Sequence, residues 1–253
     1  MSPPFTPTIL RFDSLPSTNT EAARQASLGA REGLCVVARE QTAGRGRRER
    51  AWASPKDAGL YFSVVLRPRT DAREWPLITL AAAVAVRDAL EEACALRADI
   101  KWPNDLLASG RKLCGILAET AEGAAGRAVV LGIGLNLTNR AFPAEILEAA
   151  TSVEEQTGRA NDPERLLAAL TRQLARRYEE LHARGGASLI LGEWEARSTY
   201  AHGRRVRVAL AGETFGGVTR GLEPDGALRV ETDDGRVRVV RAGDVTALRQ
   251  TQT

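Results

Sequence analysis

The chain of 253 residues has the length of one large domain, or of one large and one small domain. Its 35 lysines and arginines nearly balance its 32 aspartates and glutamates, which argues against a basic face that follows a nucleic-acid duplex. Three cysteines without CxxC spacing argue against a zinc cage, and neither a secretory signal nor a membrane-spanning apolar run is visible, so we expect a cytoplasmic protein.

The first half of the chain alternates predicted strands and helices. A helix is predicted to begin at "STN" (17–19), where Thr18 and Glu21 have the spacing of a capping box. Capping is also the simplest explanation for the three small polar residues at this helix start. The other elements predicted here are strands at 9–13, 34–40 and 60–67 and a helix at 74–95.

The next segment predicts a hairpin and a further strand. The sequences "DLLA" and "KLCGILAET" flank Ser109 and Gly110, a pair that favours a tight turn. A glycine-containing turn at 123–126 then leads into a strand at 128–137. Because apolar residues fill both sequences, we expect these strands to belong to the main sheet.

The last part of the chain changes from helix to strand. Residues 162–196 are predicted to be mostly helical, beginning at an Asp-Pro pair whose proline suits the first helical position. Beyond Gly203, short strands alternate with turns at "EPDG" and "DDG". We therefore predict an α+β main domain in residues 1–200 and a small β-barrel in residues 203–250.

The segment "QTAGRGRRERAW" (41–52) concentrates positive charge. Its four arginines are opposed only by Glu49, whereas acidic and basic residues balance over the rest of the chain. Glycine lets the backbone approach a ligand closely, and arginine offers a planar fork of donors to phosphate or carboxylate. The segment predicts a loop that binds a small anionic ligand; the alternative is a solvated turn with incidental charge.

Two further sequences are candidates for a ligand site. In "VVLGIGLNL", strand alternation places Gly132, Gly134 and Asn136 on one face and apolar residues on the other. Bare backbone on that face suits a flat ligand, and a packed helix explains it equally well. In "KWPND" (101–105), Asp105 is a candidate Mg²⁺ ligand, although a simple turn also accounts for the pentad.

Lys112 and Gly115 in "RKLCGILAE" pose a geometrical problem. Strict strand alternation puts them on opposite faces of the sheet. Both reach one pocket only if a β-bulge intervenes or if Lys112 precedes the regular strand.

In this order, the motifs resemble those of the biotin–protein ligases. The resemblance covers residues 17 to about 153 and is carried by "STNTEA", the GRGRxxRxW pattern in 41–52, "KWPNDL", "RKLCGILAE", "GIGLNL" and "FPAEILEAATSV". It implies a mixed, mostly antiparallel sheet with flanking helices, as in class II synthetases, followed by an SH3-like β-barrel. Some family members carry an N-terminal DNA-binding domain; "STN" begins here at residue 17, so we expect no DNA binding.

The resemblance also implies roles for individual residues. Biotin would be held by Ser17, Thr18, Asn19, Gln41, Arg45, Gly46, Arg47, Lys112 and Gly115. ATP and the adenylate would be contacted by Arg47, Arg50, Trp52, Asn104 and Asn136. The residues implied in catalysis are Arg47, Lys112 and Asp105, the last also as the Mg²⁺ ligand.

The implied reaction suits an arginine-rich site that lacks histidine. The biotin carboxylate attacks ATP to give biotinyl-5′-AMP, and a lysine of a carboxylase biotin carboxyl-carrier domain then displaces AMP. The carboxylate is already ionised at pH 7, so the site must neutralise charge rather than remove a proton. His182 and His202 lie in polar contexts and are expected at the surface. Family members can form a homodimer, and the sequence leaves this open.

Three other functions stay open at this point. One is a biotin sensor without catalytic activity, against which the presence of Lys112, Asp105 and the full arginine loop argues. Lipoate– or octanoate–protein ligases share the fold and the adenylation chemistry, and the GRGRxxRxW and "KWPND" motifs favour biotin over lipoate. A non-enzymatic nucleic-acid binder that uses the arginine loop belongs to a different class; it would show weak binding that depends wholly on salt.

Overall fold

The structure is a computed structural model that describes residues 7–123 and 125–247. A seven-stranded sheet has the order β1-β2-β3-β7-β6-β5-β4; only β1 and β2 pair in parallel. The strands are β1 (Thr8–Phe12), β2 (Leu34–Ala38), β3 (Gly59–Leu66), β4 (Asp99–Lys101), β5 (Asp105–Ala108), β6 (Arg111–Ala121) and β7 (Ala128–Asn136). The predicted mixed, mostly antiparallel sheet is confirmed. Strand β4 was not predicted; it pairs with β5 across the turn in "KWPND".

Helices cover both faces of this sheet. They are α1 (Thr18–Ser27), α2 (Pro76–Cys94), α3 (Val153–Thr157), α4 (Pro163–His182) and α5 (Gly186–Glu195). Helix α1 lies on one face, where Ala22 and Ala26 pack with Val36 and Val65. The other face carries the larger core, to which α2 and α4 contribute. The alternation of strand side chains explains the division, because Val64 belongs to the α2 core and Val65 to the α1 core.

The capping box predicted at Thr18 and Glu21 is wrong. Ser17 is the N-cap of α1, and its side chain accepts a hydrogen bond from the Thr20 amide. The helix therefore begins at Thr18, whose amide and hydroxyl both donate to Gln41 Oε1, at 2.8 and 3.0 Å.

The predicted helical region 162–196 consists of two helices. Asp162 caps α4 by accepting hydrogen bonds from the Glu164 and Arg165 amides, and the proline occupies the first turn as predicted. Gly185, with φ of +78°, separates α4 from α5. Glycine accepts this left-handed conformation without steric cost, which lets the chain reverse.

The C-terminal region forms a separate five-stranded antiparallel sheet of order β11-β10-β9-β8-β12, consistent with the predicted SH3-like barrel. Its strands are β8 (His202–Ala209), β9 (Thr214–Leu222), β10 (Leu228–Thr232), β11 (Val237–Val240) and β12 (Asp244–Ala247). The predicted final strand extends past residue 247, and that part lies outside the described residues. The barrel sits against the main domain, since Trp102 Nε1 donates to Gly226 O at 3.0 Å.

Candidate active site

An open cleft lies on the α1 face of the large sheet. It gathers segments that are far apart in the sequence: the start of α1, the arginine loop, the β4–β5 turn, β6, β7 and one barrel residue. Of the site residues predicted from the sequence, those that line it are Ser17, Thr18, Asn19, Gln41, Arg45, Gly46, Arg47, Arg50, Trp52, Asn104, Asp105, Lys112 and Gly115.

The glycines of β7 form the floor of the cleft. A Cβ on Gly132 would lie 2.0 Å from Asn19 Oδ1, and one on Gly134 would lie 2.5 Å from Trp52 Nε1. Both positions therefore require bare backbone, as the strand pattern predicted. The first glycine accommodates helix α1, and the second accommodates the indole of the arginine loop.

One end of the cleft is a corner of neutral polar groups. Gln41 accepts from Thr18 and donates through Nε2 to Ser54 Oγ at 2.8 Å. Ser63, which the sequence analysis did not single out, donates to Asn19 Oδ1 at 2.7 Å and is fully buried. Asn19 also donates to Glu119 at 2.8 Å, and Glu119 pairs with Arg45, so the corner as a whole carries no net charge. The corner can therefore bind a small uncharged ring that has both donors and acceptors.

The other end of the cleft carries paired charges. Lys112 Nζ lies 2.6 Å from Asp105 Oδ1, a charge contact whose angles are not those of a hydrogen bond. Lys101 Nζ lies 3.9 Å from the second oxygen of the same carboxylate. Burial lowers the pKa of Lys101, and the attraction of Asp105 opposes that shift. Two lysines therefore share one carboxylate, which leaves positive charge for an incoming anion.

A β-bulge brings Lys112 and Gly115 to the same face. In the β5–β6 pair, Leu106 faces Cys114 and Leu107 faces Lys112, so Leu113 is an extra residue in β6. A Cβ on Gly115 would lie 3.4 Å from Lys112 Cε. The sequence pattern required a β-bulge, or a Lys112 that precedes the regular strand, for both residues to reach one pocket. The bulge at Leu113 meets this requirement.

The arginine loop folds back on itself over the cleft. Gly46 N donates to Arg50 O at 2.6 Å, and Trp52 N donates to Gly44 O at 2.9 Å. Between these bonds, Arg48 and Glu49 have φ of 54° and 61°, a left-handed conformation that is uncommon for residues other than glycine. The loop therefore has a defined and locally strained turn at its tip.

Arg47 and Trp52 point from this loop into the cleft. Arg47 Nη1 donates to Asn104 Oδ1 and to Gly243 O, both at 3.3 Å. Burial lowers the pKa of Arg47 against the attraction of Asp244, although an arginine stays charged at neutral pH. The indole of Trp52 lies 5.3 Å from Lys112 Nζ, and its buried Nε1 has no hydrogen-bond partner among the described residues.

Asn136 is the one predicted site residue that does not line the cleft. Its buried amide donates to Thr151 O at 2.9 Å and to Lys112 O at 3.3 Å. The strand pattern placed it on the correct face, but residues 150–152 cover that end of β7. Its side chain holds this covering segment in place instead of facing the open cleft.

The structure does not favour Asp105 as the ligand of a resident Mg²⁺. Within residues 7–123 and 125–247, no group of three His, Cys, Asp or Glu side chains is arranged to hold a metal. Asp105 is also close to two lysines, whose charges would repel a dication. Its role as a metal ligand stays a sequence-based prediction.

The two histidines lie away from the cleft. His182 Nδ1 is 2.7 Å from Tyr178 O on α4, and His202 faces Glu195 at 3.5 Å near the start of the barrel. Asp244, by contrast, lines the cleft although it belongs to the barrel. This position of Asp244 was not predicted from the sequence, because nothing there distinguishes it from other acidic residues of the barrel.

None of the helices in the described part of the chain combines the length and apolar character needed to cross a membrane.

Two family models match the chain in succession. The model described as the biotin/lipoate A/B protein ligase family matches residues 11–136, and the one described as the biotin protein ligase C-terminal domain matches residues 201–246. The first range contains nearly all of the large sheet and every cleft-lining residue except Asp244, and the second contains nearly all of the small five-stranded sheet.

Curated relatives match over nearly the whole chain. The bifunctional ligase/repressor BirA of Bacillus subtilis is 36% identical over 92% of this chain and 72% of its own length. The biotin–[acetyl-CoA-carboxylase] ligase of Paracoccus denitrificans is 39% identical over 90% of this chain and 96% of its own length. Among solved structures, the biotin protein ligase of Aquifex aeolicus in complex with biotin and ATP matches with a TM-score of 0.83, 27% identity, and coverage of 97% of this chain and 100% of that one.

Proposed function

Because the chain belongs to the biotin/lipoate A/B protein ligase family, we propose that it is a biotin–protein ligase that forms biotinyl-5′-AMP and transfers biotin to a lysine of a carboxylase carrier domain. One observation supports this most: the cleft joins a neutral polar corner to a cationic end. A ligand with an uncharged polar ring and a carboxylate tail matches that distribution, and biotin has both.

The neutral corner would bind the ureido ring. Thr18, Gln41 and Ser54 are linked by hydrogen bonds, so their hydroxyl and amide groups are oriented before a ligand arrives. Orientation in advance reduces the entropy lost on binding. Removing any one of these groups would leave a polar atom of the ring, or of a neighbouring side chain, without its hydrogen-bond partner.

The cationic end would carry the first chemical step. A carboxylate oxygen of biotin forms a bond to the α-phosphorus of ATP, the bond to the bridging oxygen breaks, and pyrophosphate leaves. No proton has to be removed, so the barrier lies in bringing two anions together. Lys112 and Arg47 would lower it by stabilising the charge on the carboxylate and the phosphate.

The second step would form the amide bond. The neutral amine of the acceptor lysine attacks the carbonyl carbon of the anhydride, the bond from that carbon to the phosphate oxygen breaks, and AMP leaves with the shared electron pair. The attacking nitrogen loses a proton on the way. Asp105 is the carboxylate beside Lys112, so it would either accept this proton or keep Lys112 against the carboxyl end.

The proposal is tested by the intact mass of a purified biotin-acceptor domain after incubation with this protein, Mg·ATP and biotin, with lipoate replacing biotin in a parallel reaction. We expect one biotin increment on the acceptor and no increment with lipoate. An increment with lipoate alone would overturn the substrate assignment. The absence of both an increment and released pyrophosphate would overturn the proposed enzyme activity.

A further inference from the structure

The barrel contributes a charged group to the cleft through Asp244, the first residue of β12. One of its carboxylate oxygens contacts two arginines of the loop, Arg48 at 3.3 Å and Arg50 at closer range. The preceding residue, Gly243, accepts a hydrogen bond from Arg47 through its carbonyl. Two adjacent residues of the barrel therefore hold three successive arginine side chains of the main domain.

The four arginines of the loop differ in whether a carboxylate contacts them. Arg45 pairs with Glu119 at 2.7 Å, and Arg48 and Arg50 share Asp244. The hydrogen bonds of Arg47 go to neutral oxygens, those of Asn104 and Gly243. Among the described residues of the loop, Arg47 thus combines a position in the cleft with a charge that no carboxylate contacts directly.

The conformation of the loop tip depends on an external restraint. Arg48 and Glu49 adopt left-handed backbone angles, and four arginines lie within six residues. Both features oppose a closed turn, through steric crowding and through repulsion between like charges. An anion that contacts two of the arginines offsets the repulsion, and the carboxylate of Asp244 makes such contacts with Arg48 and Arg50.

We propose that Asp244 is a positioning residue that latches the arginine loop shut over the cleft and leaves the charge of Arg47, which no carboxylate contacts, available to the phosphate of the ligand. The effect of the latch on the adenylate rests on the proposed function, whereas its effect on the loop in the empty protein does not. The barrel then acts as a part of the active site, because its carboxylate sets the position of the lid.

The strength of the latch is moderate. The side chain of Asp244 is 29% exposed and those of Arg48 and Arg50 are 39% and 65% exposed, so water screens both pairs. Partly exposed pairs of this kind shift an equilibrium by about three- to tenfold when they act as a network. This range suits a lid that must open to admit substrates and to release AMP.

The first test uses trypsin on the unliganded protein, because Arg47, Arg48 and Arg50 are themselves cleavage sites. Cleavage through transient opening follows the population of the open loop. We expect Asp244→Asn to accelerate cleavage within residues 47–50 about three- to tenfold, and Asp244→Glu, which keeps the charge, to remain near the unmodified protein. Asp233→Asn is the matched control, because Asp233 pairs with Arg205 on the exposed side of the barrel.

Cleavage inside the barrel, after Arg220 or Arg229, reports whether Asp244→Asn unfolds that domain. If barrel and loop cleavage rise together, or if loop cleavage does not change, the latch is overturned. Equal acceleration in Asp233→Asn would also overturn it, because the effect would then not belong to the Asp244 contact.

The second test measures the release of biotinyl-AMP from protein loaded with biotin and Mg·ATP. We expect release about three- to tenfold faster for Asp244→Asn, without a change for Asp233→Asn. Unchanged release despite faster loop cleavage would overturn the role of the latch in retaining the adenylate. If the unmodified protein forms no adenylate, the proposed function fails, and the protease result alone still decides whether the latch exists.

Discussion

At the scale of single residues, the site depends on where side chains are absent as much as on where they are present. Gly134 has room for the indole of Trp52 only because it lacks a Cβ, and Gly132 accommodates Asn19 for the same reason. Among the charged residues, a single carboxylate serves two lysines, since Asp105 lies close to both Lys101 and Lys112. Small changes at these positions therefore have specific expected effects.

Gly134→Ala should displace the indole of Trp52, because the new methyl group would lie 2.5 Å from its Nε1. If Trp52 stacks on the adenine, we expect the KM for ATP to rise about tenfold or more, since base stacking on an aromatic ring is worth about 1–3 kcal/mol. Gly192→Ala on α5 is the control, because a methyl group added there would have no neighbouring atom within 4 Å. Equal KM values in the two variants would contradict the stacking role.

Asp105→Asn should slow the transfer of biotin from preformed biotinyl-AMP to the acceptor. The amide cannot accept a proton and attracts Lys112 less strongly than the carboxylate at 2.6 Å does. General-base assistance contributes about 100-fold or more to a rate, so we expect a loss of that order if Asp105 is the base and a smaller loss if it only positions Lys112. Transfer at the unmodified rate would rule out both roles.

At the scale of elements, the side chains that line the cleft come largely from irregular segments that adjoin regular strands. The bulge in β6 turns Lys112 toward the face of Gly115, and the left-handed turn at Arg48 aims the arginine loop across the sheet. The "KWPND" pentad forms the turn between β4 and β5 and supplies Asn104 to Arg47. Regular strands provide the rigid support, and the irregular segments aim the side chains.

Arg47→Gly should weaken the closure of the arginine loop over the adenylate. The substitution removes the donor to Asn104 and Gly243 and the charge expected at the phosphate. We expect biotinyl-AMP to escape into solution and to label lysines of bystander proteins, measured as biotin on serum albumin added to the reaction. Arg236→Gly, on an exposed turn of the barrel, is the control; strictly acceptor-specific labelling by Arg47→Gly would contradict this account.

At the scale of the whole molecule, a network of ion pairs around a buried arginine connects helices α2, α4 and α5. Arg177 of α4 is only 3% exposed; it contacts Asp88 of α2 at 2.5 Å and Glu193 of α5 at 3.1 Å. Burial lowers the pKa of Arg177, but its hydrogen bonds to Asp88 and Glu180 outweigh that effect and raise it. This network joins α2, α4 and α5, which pack against one another, and lies outside the cleft.

Arg177→Ala should lower the free energy of unfolding by about 1.5–3 kcal/mol, because it removes charged hydrogen bonds to Asp88 and Glu180, while Arg197 still pairs with Asp88. Urea unfolding measures this change. Arg172→Ala serves as the control, since the pair of Arg172 with Glu92 is exposed and should contribute less than about 1 kcal/mol. A similar small loss in both variants would mean that water reaches the buried network.

The sequence alone predicted the α+β class and the small all-β unit, because strand alternation and turn pairs are local patterns. The mixed sheet and most of the residues that line the cleft were predicted through motifs such as GRGRxxRxW, which resemble those of the biotin–protein ligases. The division into domains at 1–200 and 203–250 remains a proposal. So do the individual roles at the site.

Only the tertiary structure decided the contacts that join distant segments. Gln41 accepts a hydrogen bond from the first residue of α1, residues 150–152 cover Asn136, and Asp244 reaches the arginine loop from 194 positions further along the chain than Arg50. No local pattern encodes these contacts, because an aspartate at the start of a barrel strand has the same sequence signature whether it faces water or an arginine. Its role arises only when the two sheets pack together and place its carboxylate at the mouth of the cleft.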